Sequence, residues 1–443
     1  MLKTKIVREE INGSTTEIFA MTSERYDIVL YGASGFTGQY VLEAFVKCGE
    51  MDQISLAVAG RSEKKLQQTL KVIGDTTEKD LSKIPIIIAD SGNDKQLAEM
   101  AKQAKVIVNV VGPYRLYGEA VVKAAVENGA SHVDISGEPA WIESMQMKYS
   151  EQAREQGVIV IGACGWDSVP CDMGMNFLKQ HFQGTLSHAE TFAHIKTGEA
   201  GYSFNAGTYQ TLVLGFWQSK NDSLGKIRRA IMPEKLEKAK WRPPKRGMFW
   251  WNDSLDAYCL PFLGADKSIV QRSQYFDYVL DKIYPASLET YILVKSWFWA
   301  VALMMWLSLF NIAVKYDFTR SILQKYPGIC SGYMFKETGP TRQQAQQASF
   351  SYWFFGWGWD QAPPPVNEPP TKRLVVRCDG PDAGYIGTAG CILSCALTIL
   401  KERGAMPNEG GVYTTAAAFK NTNIYETLAS FGVTFRVDSS VKV

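Results

Sequence analysis

Three glycines near the start of the chain have the spacing of a phosphate-binding loop. Gly32, Gly35 and Gly38 form the pattern GxxGxxG between an apolar run and an amphipathic segment. In such loops the glycines permit a tight turn, a close approach of pyrophosphate to the backbone, and close packing of helix against strand. Backbone amides at the helix N-terminus then bind phosphate oxygens. We therefore predict that a dinucleotide is held by Gly32, Ser34, Gly35, Phe36, Thr37 and Gly38.

The residues after the second predicted strand indicate which dinucleotide is bound. An NAD site has an acidic residue there for the ribose 2′-hydroxyl, whereas this chain has Arg61 followed by Ser62. A guanidinium matches a 2′-phosphate in charge and in hydrogen-bonding geometry, so the cofactor is predicted to be NADP. The competing interpretation of Arg61 is an ordinary surface arginine. Further cofactor contacts are expected at the ends of the third and fourth strands, at Asp90, Val110, Gly112 and Pro113.

Hydride transfer belongs to the cofactor, so the protein has to position the substrate and supply a proton. Five polar residues follow predicted strands four to six and are candidates for this work: Tyr114, Tyr117, Glu138, Asp167 and Asp172. We predict Tyr114 and Asp167 as the catalytic residues, either of which could donate the proton. The competing interpretations are that Tyr114 packs in the core and that Asp167 caps the helix after it.

Alternating strand and helix patterns must position these residues. Apolar strand runs occur at 28–31, 54–59, 84–89, 106–111, 132–135 and 158–161, and amphipathic helices are predicted at 39–48, 63–72, 95–104, 119–128 and 144–156. This alternation is typical of crossover connections between parallel strands. The predicted fold class is therefore α/β, with a doubly wound parallel Rossmann sheet.

The pattern changes in the second half of the chain. Residues 186–197, 349–355 and 372–378 alternate as sheet strands, with long helical or irregular stretches between them. We predict a second α+β domain with a mixed sheet. The expected division is 1–23 as a polar N-terminal extension, 24–178 as the Rossmann domain, 179–379 as the second domain, and 380–443 as a C-terminal segment that packs back on the Rossmann domain.

Composition excludes several classes of function. The net charge of +2 gives no indication of nucleic-acid binding. The eight cysteines form no CxxC pair and the four histidines form no HxxxH pair, so no metal site is predicted. The N-terminus is charged and lacks the apolar core of a secretory signal, so we expect an intracellular protein.

One apolar stretch departs from the mixed polar and apolar sequence that is typical of a soluble protein. Residues 296–314, between Lys295 and Lys315, are uncharged, and as a helix they would be apolar on every face except at Ser308 and Asn311. Two interpretations remain open, a buried core helix and a membrane-inserted helix or hairpin. A monotopic anchor is easier than a full span to reconcile with one continuous second domain. The basic run 226–246 would then face anionic headgroups, or would simply be solvated.

Several motifs together resemble one known family. The stretches GASGFTGQ (32–39), AVAGRS (57–62), VGPYRLYGE (111–119), DISGEP (134–139) and CGWDSVPCDMG (164–174) are similar to those of saccharopine dehydrogenase-like oxidoreductases. The similarity runs through nearly the whole chain from Tyr26. Two departures are Trp166, where phenylalanine is usual, and Thr415, where proline is frequent.

The resemblance implies a Rossmann domain completed by C-terminal segments, with an inserted mixed-sheet domain. It also implies association with lipid droplets and other membranes, including the mitochondrion or plasma membrane, and a role in lipid or glycolipid metabolism. Relatives of this family include bacterial trans-acting enoyl reductases. The family name does not by itself make saccharopine the substrate.

These observations predict a membrane- or droplet-associated NADPH-dependent oxidoreductase with a lipid-like substrate. One alternative is a catalytically silent nucleotide-binding scaffold at the droplet surface. Another is a soluble saccharopine or amino-acid dehydrogenase, which would need several arginines for substrate carboxylates. Only Arg115 lies near strands four to six. The sequence leaves the oligomeric state open.

Overall fold

The computed structural model describes residues 2–11, 14–23, 25–219, 221–237, 241–361 and 368–441. The stretch predicted as a polar extension contains two strands that pair antiparallel with each other, β1 (Leu2–Ile11) and β2 (Ser14–Ser23). Strands and helices then alternate: β3 (Tyr26–Tyr31), α1 (Phe36–Lys47), β4 (Leu56–Gly60), α2 (Glu63–Thr77), β5 (Ile86–Ile88), α3 (Asp94–Lys102), β6 (Ala104–Asn109), α4 (Tyr114–Glu127), β7 (Ser131–Asp134), α5 (Pro139–Glu155), β8 (Ile159–Ile161) and α6 (Val169–Phe182).

The second half of the chain is less regular. Its elements as far as the last long strand are β9 (Thr185–Lys196), β10 (Phe204–Asn205), α7 (Ala206–Gln218), α8 (Leu224–Ile231), β11 (Trp250–Asn252), β12 (Ala257–Pro261), α9 (Asp266–Asp281), β13 (Ser287–Val294), α10 (Trp297–Ala313), α11 (Asp317–Lys325), α12 (Pro327–Cys330), β14 (Phe335–Lys336), α13 (Arg342–Gln347), β15 (Ser349–Trp359) and β16 (Lys372–Pro381). The C-terminal part has α14 (Ile386–Lys401), a 3₁₀ turn (Arg403–Ala405), β17 (Gly411–Tyr413), α15 (Thr415–Phe419), α16 (Ile424–Ser430) and β18 (Thr434–Val437).

The first sheet is parallel throughout and has the order β17-β8-β7-β6-β3-β4-β5. The chain leaves β3 in one direction to form β4 and β5, and returns to its other side to form β6. Ligands bind at the carboxyl ends of the strands beside such a reversal. The predicted doubly wound Rossmann sheet is thus confirmed, with β17 as a seventh strand that the sequence patterns did not indicate.

The second sheet is mixed, as predicted, with the order β11-β12-β13-β9-β15-β16-β18. Its strands pair antiparallel except for β13, which runs parallel to β9. The C-terminal part contributes one strand to each sheet, because β17 joins the first and β18 joins the second. This shared segment ties the two sheets into one core.

The helix α14 lies at the centre of that core. It packs against α1, β6 and α16, and its residues from Gly387 to Ile399 are all buried. A helix that is apolar on every face is stable in water only when it is surrounded by protein. Packing of this helix therefore explains why the small, apolar sequence after Gly384 returns to the first domain.

A buried carboxylate fastens the C-terminal segment to the domain interface. Asp172 on α6 accepts hydrogen bonds from the hydroxyls of Ser273 (2.6 Å) and Thr415 (2.8 Å) and from the amide of Ala416 (2.7 Å). These partners lie on α9 and α15, so one side chain joins three helices. Burial raises the pKa of Asp172, while the three donors favour its charged form.

Replacement of Asp172 by alanine should lower the free energy of unfolding by about 3 kcal/mol or more, because several buried donors lose their acceptor. Chemical denaturation of the purified protein measures this loss. The matched control is Asp75→Ala on the exposed side of α2, which is expected to change stability by less than about 0.5 kcal/mol. A similar small effect at Asp172 would contradict the fastening role.

Candidate cofactor and substrate site

The loop after β3 has the shape that a pyrophosphate requires. Gly32 has φ of +93°, and a Cβ on Gly38 would lie 2.2 Å from the Gly32 carbonyl oxygen. Neither position can accept a larger residue without a shift of the backbone. The helix α1 begins at Phe36 after Gly35, without a side-chain cap. The residues 34–38 thus lie at an open helix N-terminus, which fits the phosphates of a dinucleotide.

Neighbouring loops close over this turn. A Cβ on Gly32 would lie 2.7 Å from a methyl group of Val111, and the amide of Val110 donates to the carbonyl of Tyr31 at 3.0 Å. The segment 110–113, which contains a cis peptide bond between Gly112 and Pro113, therefore lies directly beside the glycine loop. The structure brings these sequence-predicted residues together at the end of β6.

Arg61 and Asp90 lie at the ends of β4 and β5, beside the glycine loop. Arg61 is exposed, and both side chains act electrostatically on the phenol of Tyr31, whose pKa burial raises to about 12. Asp90 also holds its own turn, since its carboxylate accepts from the amide of Gly92 at 2.8 Å. The hydroxyl of Ser62 accepts from the Lys65 amide at 3.5 Å and caps α2. Arg61 is therefore the side chain at this corner that extends toward solvent.

The hydroxyl of Tyr114 bridges two loops of the site. It donates to the carbonyl of Asn109 at 2.9 Å and accepts from the amide of Ile135 at 3.2 Å. Burial and the nearby Asp134 carboxyl raise its pKa well above the ordinary value. These bonds fix the ends of β6 and β7 relative to each other.

Arg115 is engaged by two carboxylates. Its Nη1 and Nη2 donate to Asp222 at 2.6 and 2.8 Å, and its Nε donates to Glu138. Burial raises the pKa of Glu138 to about 7, despite the guanidinium beside it. The cluster ties the ends of β6 and β7 to the segment before α8, in the second half of the chain.

Asp167 lies in the loop after β8, between two glycines. A Cβ on Gly137 would lie 2.4 Å from one carboxyl oxygen, and a Cβ on Gly264 would lie 2.1 Å from the other. The following helix α6 begins after Ser168 without a side-chain cap, so Asp167 does not cap it. Its carboxyl group lies instead beside the segment 264–266, and burial together with Asp266 raises its pKa well above the ordinary value.

Aromatic rings form an apolar wall beside this carboxyl group. The ring of Trp166 lies 6.0 Å from the rings of both Phe262 and Phe350 and 6.3 Å from that of Tyr352. The second domain contributes all three of these partners. Sequence patterns did not indicate Gly264, Asp266 or Tyr352, because they lie about 100 residues or more after Asp167 and belong to no local motif.

The described residues also include side chains of the types that bind metal ions. Among the residues that the structure describes, no group of three or more histidine, cysteine or acidic side chains could hold a metal ion.

The buried carboxyl group of Asp134 gives the site a pH dependence that can be tested. It accepts from the hydroxyl and amide of Ser136, and burial raises its pKa from 3.8 to about 6. A raised pKa contributes stability that is complete below about pH 4 and is lost as the pH rises through about 6. The loss amounts to about 3 kcal/mol.

The variant Asp134→Asn keeps an acceptor for Ser136 and cannot ionise. Its unfolding free energy, relative to that of the wild type, should therefore rise between pH 4 and pH 7, and denaturation at a series of pH values measures this. A constant difference across the range would contradict the assignment.

Comparison with known proteins agrees with this geometry. Residues 28–161 match the family described as the saccharopine dehydrogenase NADP-binding domain. A "Lipid droplet localized protein" of Caenorhabditis elegans is 54% identical over 94% of this chain and 99% of that relative. The human "Saccharopine dehydrogenase-like oxidoreductase" is 38% identical over 94% of this chain and 98% of the relative.

The fold is similar to a solved structure. Apo saccharopine dehydrogenase (L-Glu forming) from Saccharomyces cerevisiae superposes with a TM-score of 0.51 and 11% identity, and the match covers 93% of this chain and 99% of that one. At this identity the likeness concerns the fold alone. From the matched NADP-binding domain and the full-length relatives, we conclude that the chain belongs to the saccharopine dehydrogenase-like oxidoreductase family and binds NADP.

Proposed function

We propose that this protein is an NADPH-dependent oxidoreductase that acts on a lipid-like substrate while bound to a lipid droplet or membrane surface. The observation that carries the proposal is an exposed apolar surface on α10, α11 and α12, here named the apolar platform. It consists of the side chains of Trp297, Phe298, Trp299, Met305, Leu309, Ile312, Phe318, Ile322 and Ile329.

The platform is unusual for a surface in water. Trp299 and Leu309 are each 65% exposed and Phe318 is 77% exposed, whereas only Ala300 and Phe310 of α10 are buried. The interpretation of 296–314 as a core helix is therefore wrong for most of its surface. Large exposed apolar patches mark sites that other molecules cover. In the described part of the chain, no helix is long and apolar enough to cross a membrane.

The rim of the platform supports a lipid surface as the covering partner. Lys315 follows α10 and Lys325 ends α11 at the edge of the platform. Lys295 donates instead to the carbonyls of Leu255 and Asp256, and Arg320 pairs with Asp317 while its guanidinium lies 4.1 Å from the ring of Trp217. Tryptophan and basic side chains at the edge of an apolar face are typical of proteins that lie in the headgroup region. An anionic phospholipid surface would complement this charge.

The basic run 226–246 offers lipid headgroups less positive charge than its composition indicates. Arg228 forms an ion pair with Glu143 at 3.0 Å, and Arg246 pairs with Glu190 at 2.8 Å. These two charges stabilise the fold and are not free for headgroups. Residues 238–240 of the run lie outside the described residues.

A single helix connects the platform to the cofactor loop. At the start of α7, the amide of Asn205 donates to the hydroxyl of Tyr385, whose ring lies 4.8 Å from that of Phe36 in the glycine loop. Within α7, the ring of Tyr209 lies 5.6 Å from that of Phe310 on α10. The helix α7 thus contacts both α10 and the segment beside the glycine loop.

The arrangement of Arg115 disfavours an amino-acid substrate. Its guanidinium already binds Glu138 and Asp222. Recognition of a substrate carboxylate would require it to leave one of these partners. For proton donation the geometry favours Asp167, because both hydrogen-bonding positions of the Tyr114 hydroxyl are used by the backbone.

Replacement of Arg61 by alanine should weaken NADPH binding by about 10- to 100-fold and NADH binding far less, because only NADPH carries the 2′-phosphate. Calorimetric titration of both nucleotides measures the two affinities. The matched control is Lys64→Ala, which removes one positive charge in the first turn of α2 and should affect both nucleotides little. Equal losses for NADPH and NADH at Arg61 would exclude its contact with the phosphate.

The double variant Trp299→Glu, Leu309→Glu should abolish flotation with vesicles of phosphatidylcholine and phosphatidylserine, and with phospholipid-coated triacylglycerol droplets, because charged groups cannot enter the acyl layer. The matched control is Leu280→Glu, Ile283→Glu, which alters exposed apolar residues away from the platform. Undiminished flotation of the platform variant would contradict the docking surface.

Turnover is measured on the same vesicles. Loss of NADPH absorbance is followed with long-chain ketones and 2-enals embedded in the bilayer, and the platform variant should lose turnover together with binding to the vesicles. NADPH binding without oxidation across these carbonyl and enone lipids would favour the silent scaffold.

A further inference from the structure

The start of α1 presents the backbone amides that face a pyrophosphate, but its own sequence does little to fix it. The helix begins at Phe36 after Gly35, with no side-chain cap and no acidic residue in its first turn. Gly38, in that same turn, is a weak helix former. Helix ends that lack such features are stable only when tertiary contacts hold them. The position of these amides therefore depends on contacts from elsewhere in the molecule.

One such contact comes from the segment that follows β14, in the second half of the chain. Gly339 has φ of +64°, and a Cβ there would lie 2.6 Å from Cζ and 2.9 Å from Cε1 and Cε2 of the Phe36 ring. Only glycine permits the backbone to approach the far end of the ring this closely. Three residues later, Arg342 forms an ion pair with Glu43 of the same helix at 2.5 Å. The segment 339–342 thus lies alongside the first two turns of α1.

A second contact comes from Tyr385, just before α14. Its buried ring lies 4.8 Å from that of Phe36, with the two planes at 79°. Tyr40, one turn after Phe36 on α1, lies 5.6 Å from Phe36 and 5.4 Å from Tyr385, measured between ring centroids. The rings of Phe36, Tyr40 and Tyr385 are here named the aromatic clamp. Because the Phe36 ring contacts both of the others, it has little room to turn away from Gly339.

Hydrogen bonds fix the two contributors from the second half of the chain. The hydroxyl of Ser203, which is buried, donates to the carbonyl of Gly339 at 3.2 Å. The amide of Asn205 donates to the hydroxyl of Tyr385 at 2.7 Å. Both donors lie just before α7, so a single short segment holds the two residues that contact Phe36.

We propose that Gly339 and Tyr385 are positioning residues for the dinucleotide, which act through the ring of Phe36 to hold the phosphate-binding start of α1. A site that already has its bound shape binds more tightly, because less ordering accompanies binding. The inference goes beyond the proposed function, since it requires NADP binding alone and is independent of a lipid-like substrate. It assigns part of the cofactor affinity to residues outside the matched NADP-binding segment 28–161.

The first test measures nucleotide affinity by calorimetric titration of the full chain. Gly339→Ala should weaken NADPH binding by about tenfold, because its methyl group displaces the Phe36 ring and with it the first turn of α1. Tyr385→Leu should have a similar effect through loss of the ring contact, and it serves if Gly339→Ala does not fold. NADH affinity should fall by the same factor as NADPH affinity, because both nucleotides carry the pyrophosphate. Arg61→Ala, in contrast, changes the ratio of the two affinities.

The second test is a rescue, which a general loss of stability would not produce. Leucine at position 36 lacks the three ring atoms that a methyl group on residue 339 would meet. The double variant Phe36→Leu, Gly339→Ala should therefore bind NADPH within about threefold of the affinity of Phe36→Leu alone.

The matched control for backbone strain is Gly157→Ala. Gly157 has φ of +65°, and within the described residues a Cβ there would meet nothing within 4 Å. It precedes β8 and so lies at the edge of the Rossmann sheet away from the cofactor. This variant carries the same strain as Gly339→Ala and should leave the affinities for both nucleotides unchanged.

The outcomes separate this inference from the proposed function. Three results would each overturn the positioning role while leaving the cofactor site intact: wild-type affinity in Gly339→Ala and Tyr385→Leu, an equal loss in Gly157→Ala, or no rescue by Phe36→Leu. A changed ratio of NADPH to NADH affinity in Gly339→Ala would also contradict it, because the effect would then lie at the 2′-phosphate. Absence of flotation or of lipid turnover would overturn the proposed function and leave the positioning role standing.

Discussion

The junction between the two sheets imposes the constraint on which the site depends. Loops of the second domain cover the carboxyl ends of the Rossmann strands, and polar groups enclosed there must find partners across the junction. Asp172 finds three donors on α9 and α15 and becomes a fastening point. The Asp167 carboxyl group is held between Gly137 and Gly264 in the loop after β8. Burial raises the pKa of both carboxyl groups, and at Asp172 the three donors offset part of that effect.

Local patterns predicted six of the seven strands of the first sheet, and its cofactor. The glycine spacing, the strand and helix periods and Arg61 each depend on residues close in sequence, and the Rossmann fold, the mixed second sheet and NADP were all predicted from them. The partners of Asp167 could not be predicted this way. Gly264, Asp266 and Tyr352 reach the site only because β12, α9 and β15 belong to a sheet that folds back onto the first.

Two helices show why burial was harder to predict than secondary structure. Both α10 and α14 are apolar on nearly every face. The structure encloses α14 between α1 and α16, whereas it leaves most of α10 exposed. A helix that is apolar on every face requires a non-aqueous environment. Contacts with residues distant in sequence determine whether the protein itself provides that environment. For α14 protein does so, and for α10 a lipid surface is the proposed environment.

The helix α10 of the apolar platform and the loops of the cofactor site are joined through α7. Its apolar side packs on α10 through Tyr209 and Phe310, while its ends reach Tyr385 beside the glycine loop and Arg115 beside Glu138. A helix held at both ends of the cofactor site cannot shift without disturbing the loops that form that site. A displacement of α10 by a lipid surface would therefore be transmitted through α7 to those loops.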